Sequence, residues 1–129
     1  LLKEGNDVTL IATGHLVWEA IKAAEEVKKQ NINVEVINIH TIKPLDDQII
    51  VNSVKKTGCL VSAEEHNHIG GLGESISGML SKKHPTPQEF VAVNDTFGES
   101  GTPSQLMEKY GLNTETIIQK LKKLIKRKK

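Results

Sequence analysis

Glu64-Glu65-His66-Asn67-His68-Ile69-Gly70-Gly71-Leu72-Gly73-Glu74-Ser75 is the stretch that orders the rest of the chain. The apolar run before it, Cys59-Leu60-Val61-Ser62-Ala63, reads as a buried strand, and Ile76, Met79 and Leu80 after it recur at helical spacing. It is therefore a strand-to-helix turn crowded with acids, histidines and glycines. Glycine permits backbone shapes and close approaches that a Cβ would block. Free N–H groups at a helix start, together with the helix dipole, favour an anion or a carboxylate. The helix is expected to begin after Gly73 and run to about Lys83, with Gly78 marking close packing inside it.

Outward from this turn the same alternation repeats. Val8–Thr13 is a short apolar strand ended by Gly14. Leu16, Val17, Ala20, Ile21, Ala24 and Val27 form a helical stripe, with Glu19 among the polar residues elsewhere on the helix and Trp18 packing at the stripe's edge. Val34–Ile39 is rich in β-branched residues and reads as the next strand. A loop, His40–Leu45, leads to Asp46, an N-cap for a helix that turns Ile49, Ile50 and Val54 inward and is closed by Gly58. His84-Pro85-Thr86-Pro87 is a rigid connection to a strand over Phe90–Val93. Thr102 and Pro103 start a short helix stopped by Gly111, and Asn113 caps a last helix that buries Ile117, Ile118, Leu121, Leu124 and Ile125. Strands and helices in this order give a mostly parallel sheet with helices on both faces.

The chain of 129 residues is one domain, large enough for a real core. No apolar run approaches the roughly 20 residues that span a bilayer, and no signal peptide is visible. The lone Cys59 excludes an internal disulfide and reads as a core thiol, so an intracellular, cytoplasmic protein is expected. Leu1 stands where a methionine would begin a complete protein, which reads as a fragment or a processed product. Of the 17 basic residues, 7 lie between Lys120 and Lys129, leaving 10 basic against 16 acidic groups elsewhere, a balance of −6. Nucleic-acid modules carry their basic patch on the fold itself, so the basic tail reads as a solvated helix end; neither nucleic acid nor membrane is expected as a partner.

Ligands of such sheets sit at the carboxyl ends of the strands. Those ends are Thr13-Gly14-His15, His40-Thr41, Glu64-Glu65-His66 and Asn94-Asp95, where acids and histidines collect. No histidine pair has metal spacing on a helix, and His66/His68 is a loose loop pair, so no metal site is assigned. For His66 a structural role, bonding a neighbouring loop, is preferred to catalysis. The G-x-G-x-x-G dinucleotide fingerprint fails at Ile76, and neither a Walker-type phosphate loop nor a G-x-S-x-G elbow occurs. The residues give an α/β domain without a complete active site.

Three motifs, in order, carry a family resemblance. Glu65-His66, then Gly70-Gly71-Leu72-Gly73-Glu74, resembles the acid–histidine and GG-x-G turn of the transketolase C-terminal domain. Val93-Asn94, then Ser100-Gly101-Thr102-Pro103 with Leu106, then Tyr110-Gly111-Leu112, resembles the ending of that domain. Thr9–Gly14 followed by His15 and the Trp18–Ala20 helix also fits, so that the likeness runs from about Asp7 to Ile125. It implies a three-layer α/β/α sandwich whose five-stranded, mostly parallel sheet has an antiparallel first strand, with Leu1–Gly5 the stump of that strand. It implies residues 1–129 as one C-terminal domain, cut from or paired with a larger enzyme of the pentose phosphate pathway. That enzyme uses thiamine diphosphate and a divalent metal (Mg) to move a two-carbon ketol unit between sugar phosphates.

In the family the cofactor lies between two other domains at a dimer interface. Its diphosphate–metal motif, a G-D-G followed by asparagines, is absent here, so no catalytic residue is carried over and the domain alone is expected to be inactive and cofactor-free. Expected partners are the remaining transketolase domains or an N-terminal subunit, within a homodimer of the full enzyme. Glu65, His66, Gly70, Gly71, Gly73 and Ser75 are the candidate interface or anion-binding turn, with protein contact preferred to an anion because Glu74 already offers negative charge there. The alternatives are a 1-deoxyxylulose-5-phosphate synthase, a 2-oxo acid dehydrogenase beta subunit, or a stand-alone anion- or nucleotide-binding module.

Overall fold

In the computed structural model, residues 2–13, 16–39, 47–65, 71–93 and 103–128 are described. They form β1 (Val8–Ala12), α1 (Leu16–Lys28), β2 (Val34–Asn38), α2 (Asp47–Thr57), β3 (Leu60–Glu65), α3 (Leu72–Lys83), β4 (Gln88–Val93) and α4 (Pro103–Lys128). The four strands are all parallel, in the order β2-β1-β3-β4.

Strand alternation divides the core in two. Val8, Leu10, Val36, Val61 and Val91 face α1 and α4, where they pack with Leu16, Ala20, Val27, Ile117, Leu121 and Leu124. Ile11, Ile37 and Leu60 face α2 and α3, where they meet Ile50, Val54, Leu72, Ile76 and Leu80. The result is the expected three-layer α/β/α sandwich. The sheet differs from expectation in one respect: the antiparallel first strand is reduced to a single bridge. Lys3 pairs with Val36 on the outer edge of β2, and Leu2 N–H donates to Val36 O at 2.8 Å.

Helix ends follow local chemistry. Gly58 closes α2 at φ 81°, the left-handed conformation that glycine adopts without penalty. Asn31, at φ 63°, does the same after α1. The Ile32 N–H reaches Val27 O at 3.2 Å and the Asn31 N–H reaches Lys28 O at 3.0 Å, a Schellman ending with Ile32 packed on the core beside it.

Four expectations need correction. Helix α4 runs unbroken from Pro103 to Lys128, so Gly111 does not stop it and Asn113 does not cap a second helix. One interior glycine costs about 1 kcal/mol, less than the burial of Ile117, Leu121 and Leu124 returns. Glu19 is buried at 3 % exposure, whereas Trp18 stands out at 63 % with Lys22 Nζ 5.6 Å from its ring centroid. A Cβ on Gly78 would meet nothing within 4 Å among the described residues, so no packing seen there explains that glycine. Expectations placed on residues 14, 15, 40–46 and 94–102 lie outside the described residues.

The amino ends of the strands hold a buried polar network. Thr9 Oγ1 lies 2.7 Å from both Ser53 Oγ and Thr57 Oγ1, and Thr57 Oγ1 donates to Cys59 O at 3.1 Å. Beside Thr9 in the sheet, Glu35 is 4 % exposed and ion-paired with Lys56. Burial alone would raise its pKa; hydrogen bonds from Lys56 and the Gly5 amide, with the Lys56 charge, outweigh that and hold it below the usual 4.5. On the other face, Glu89 of β4 meets Lys120, Lys123 and Arg127 of α4 at 3.4, 3.4 and 2.7 Å. Three of the seven basic residues of the tail thus tie α4 to β4.

Candidate functional site

The carboxyl end of β3 and the start of α3 form the site singled out by the sequence. The strand carries Glu64 and Glu65 to its end, with Glu65 in register with Val93 of β4. Helix α3 begins at Leu72 with Gly71 as its N-cap residue, and the Ser75 N–H donates to Gly71 O at 3.0 Å. Gly71 has no side chain to cap the helix. Glu64 does so from the strand: its Oε2 accepts a hydrogen bond from the Gly73 N–H. A charged acceptor on an orphan helix N–H satisfies the donor and suits the dipole.

Gly73 is required here by contact rather than by backbone freedom. A Cβ at that position would fall 2.5 Å from Phe90 Cδ2 and 2.8 Å from Ser62 Oγ. Gln88 closes the group from β4. Its Nε2 donates to Gly73 O at 3.1 Å and to Ser62 Oγ at 3.2 Å, while its Oε1 is buried with no hydrogen-bond partner among the described residues. Ser62, Gln88 and Phe90 therefore brace the turn from the sheet.

Of the candidate residues, Gly71, Gly73 and Ser75 are brought together at the helix start, and the backbone of Glu65 lies at the adjoining strand end. His66 and Gly70 lie outside the described residues. The sequence reading missed Glu64 as the cap and Gln88 and Phe90 as braces. A signal existed for Glu64, an acid at the end of the strand that leads into a glycine-opened helix; Gln88 and Phe90 are placed only by the pairing of β4 beside β3. Among the described residues, no group of three or more His, Cys, Asp or Glu is arranged to hold a metal ion.

This geometry, a parallel sheet between two helix layers with Glu64 at the end of β3 capping the start of α3, defines an α/β/α domain. Residues 1–117 match the family described as "Transketolase, C-terminal domain", and the chain belongs to that family. Over 128 residues it is 44 % identical to the 6-deoxy-6-sulfo-D-fructose transketolase subunit SqwH of Clostridium sp. (strain MSTE9), covering 99 % of this chain and 40 % of that protein. Over 120 residues it is 37 % identical to the 1-deoxy-D-xylulose-5-phosphate synthase of Desulforudis audaxviator (strain MP104C), covering 92 % of this chain and 19 % of that one. A solved structure described as "Split gene transketolase, inactive beta4 tetramer" superposes with a TM-score of 0.84 at 41 % identity, over 98 % of this chain and 41 % of that one. The chain thus spans about two fifths or less of the proteins it matches.

Proposed function

We propose that residues 1–129 serve as the C-terminal assembly domain of a transketolase, which moves a two-carbon ketol unit between sugar phosphates in the pentose phosphate pathway. On this reading the domain acts only when joined to the remaining transketolase domains or an N-terminal subunit, in a cytoplasmic homodimer, with no nucleic acid or membrane involved. Thiamine diphosphate and Mg are held by those other domains.

One observation carries this reading: the Glu64 carboxylate sits on the α3 N–H. A diphosphate approaching that helix start would meet a negative charge in the place its own oxygens need. The turn does not fit the cofactor, and no chemical step is assigned to it. Its use is instead as a contact: Glu65, His66, Gly70, Gly71, Gly73 and Ser75 form the edge that meets another domain or subunit, with Glu65 and His66 acting as a carboxylate–imidazole pair.

Titration calorimetry of thiamine diphosphate with magnesium is expected to show no binding to this chain alone. Ketol transfer is expected only after the cofactor-binding domains are supplied. Micromolar, magnesium-dependent binding by the chain itself would refute the assignment. The 37 % identity to a 1-deoxyxylulose-5-phosphate synthase keeps a second reading in view. The reconstituted enzyme should therefore be offered ketose phosphates, the sulfo-sugar named for the Clostridium relative, or pyruvate, each with an aldose phosphate as acceptor; use of pyruvate as the only accepted donor would favour the synthase.

A further inference from the structure

We propose that Glu35 is a latch: it holds the strap Leu2–Gly5 on the outer edge of β2, and the strap can leave that edge as a unit, hinged at Asn6, while the sheet stays intact. The strap is seated almost wholly by backbone. Leu2 N–H donates to Val36 O at 2.8 Å, and Val36 N–H donates to Lys3 O at 3.0 Å. Little apolar surface secures it, since Leu2 remains 46 % exposed and Glu4 is exposed. Segments with few buried apolar contacts are the ones that open locally.

Two features decide where the strap ends. Gly5 is buried against β2, where a Cβ would fall 2.4 Å from Val34 C and 2.7 Å from Asn33 O. Its N–H donates to Glu35 Oε1 at 3.3 Å. Beyond the hinge, Asp7 is tied to Asn33 in both directions: Asp7 N–H donates to Asn33 O at 2.9 Å, and Asn33 N–H donates to Asp7 Oδ2 at 2.7 Å. That clamp fixes the start of β1 whether or not the strap is seated.

Glu35 makes the opening affordable in structural terms. Its carboxylate also takes a hydrogen bond from Lys56. When Gly5 leaves, the buried charge still has Lys56, so no unpaired charge is left inside. What opens is the Val36 N–H and C=O, an unpaired sheet edge of the kind proteins keep covered.

The test is amide hydrogen exchange on the full chain in its native assembly. Glu35→Gln is expected to speed exchange at Gly5 and Val36 at least tenfold while Leu10 and Val61 in the central strands stay as protected as before. Gly5→Ala, which removes the fit but leaves Glu35 in place, is expected to do the same. If Glu35→Gln speeds all four amides equally, Glu35 supports the whole domain and the latch is wrong. Should Glu35→Gln fail to fold, Gly5→Ala decides: selective loss of protection at Val36 supports the strap, and a Val36 amide as slow as in the parent overturns it.

Discussion

The Phe90 ring occupies the space that any side chain on Gly73 would need, with Cδ2 and Cε2 2.5 and 2.8 Å from the position of a Cβ there. A Gly73→Ala variant is therefore expected to lose about 1–3 kcal/mol, the usual cost of overpacking. Phe90 is half-exposed and can yield, so Gly73→Ala with Phe90→Ala should recover part of that loss. Urea unfolding of the two single variants and the double variant measures the coupling; strictly additive losses would show that the ring is not the obstacle.

The Glu64 carboxylate accepts from an N–H at the start of α3, the kind of donor that attracts anions. Glu64→Ala is expected to leave the Gly73 N–H without its acceptor and to open the helix start to solvent anions. Its melting temperature should then rise with added phosphate, while the parent protein stays flat beyond the general salt effect. An equal response in both proteins would mean that Glu64 does not guard the turn.

Gly78 offers the opposite case to Gly73. An added methyl meets no neighbour, so Gly78→Ala should stabilise the isolated chain by about 0.5–1 kcal/mol through helix propensity alone. Chemical denaturation provides the check, and a loss of stability would reveal a neighbour on that face of α3.

Glu89 gives α4 a pH dependence. Burial would raise its pKa, but hydrogen bonds and charge from Lys120 and Lys123 outweigh that and lower it from 4.5. A depressed folded pKa means that its stabilisation is complete above the unfolded value and is lost as pH falls through the folded one. Glu89→Gln should thus cost about 1 kcal/mol at pH 7, with the difference from the parent shrinking as pH falls through the carboxylate range and at high salt. A gap that persists unchanged into acid would assign the effect to packing instead.

Most of the architecture was legible because periodicity is a direct image of burial. The strand at Val34, the helix stripe from Leu16 to Val27 and the glycine ending at Gly58 all follow from local rules. Failures arose where tertiary partners decide. Gly111 reads locally as a stop, yet α4 continues because the apolar face beyond it is packed on α1 and the sheet. Asn31 carries no signal as strong as glycine, although its side chain tolerates the left-handed turn it makes. Glu19 and Trp18 exchanged their expected environments because one helical step separates stripe from edge. At the site, the glycines were conspicuous, but their braces, Gln88 and Phe90, lie on a strand whose register no local pattern reveals.

The hydroxyl cluster of Thr9, Ser53 and Thr57 has a practical consequence for engineering. It lies at the amino ends of the strands, whereas Glu64 is four residues further along β3 than Leu60, the partner of Thr9, which is about 13 Å at strand rise. Changes at such a separation combine nearly independently. Heat resistance can therefore be sought by repacking around Thr9 and α2, while the turn at Glu64 and Gly73 is varied at the opposite rim, and improvements found separately should be transferable into one protein.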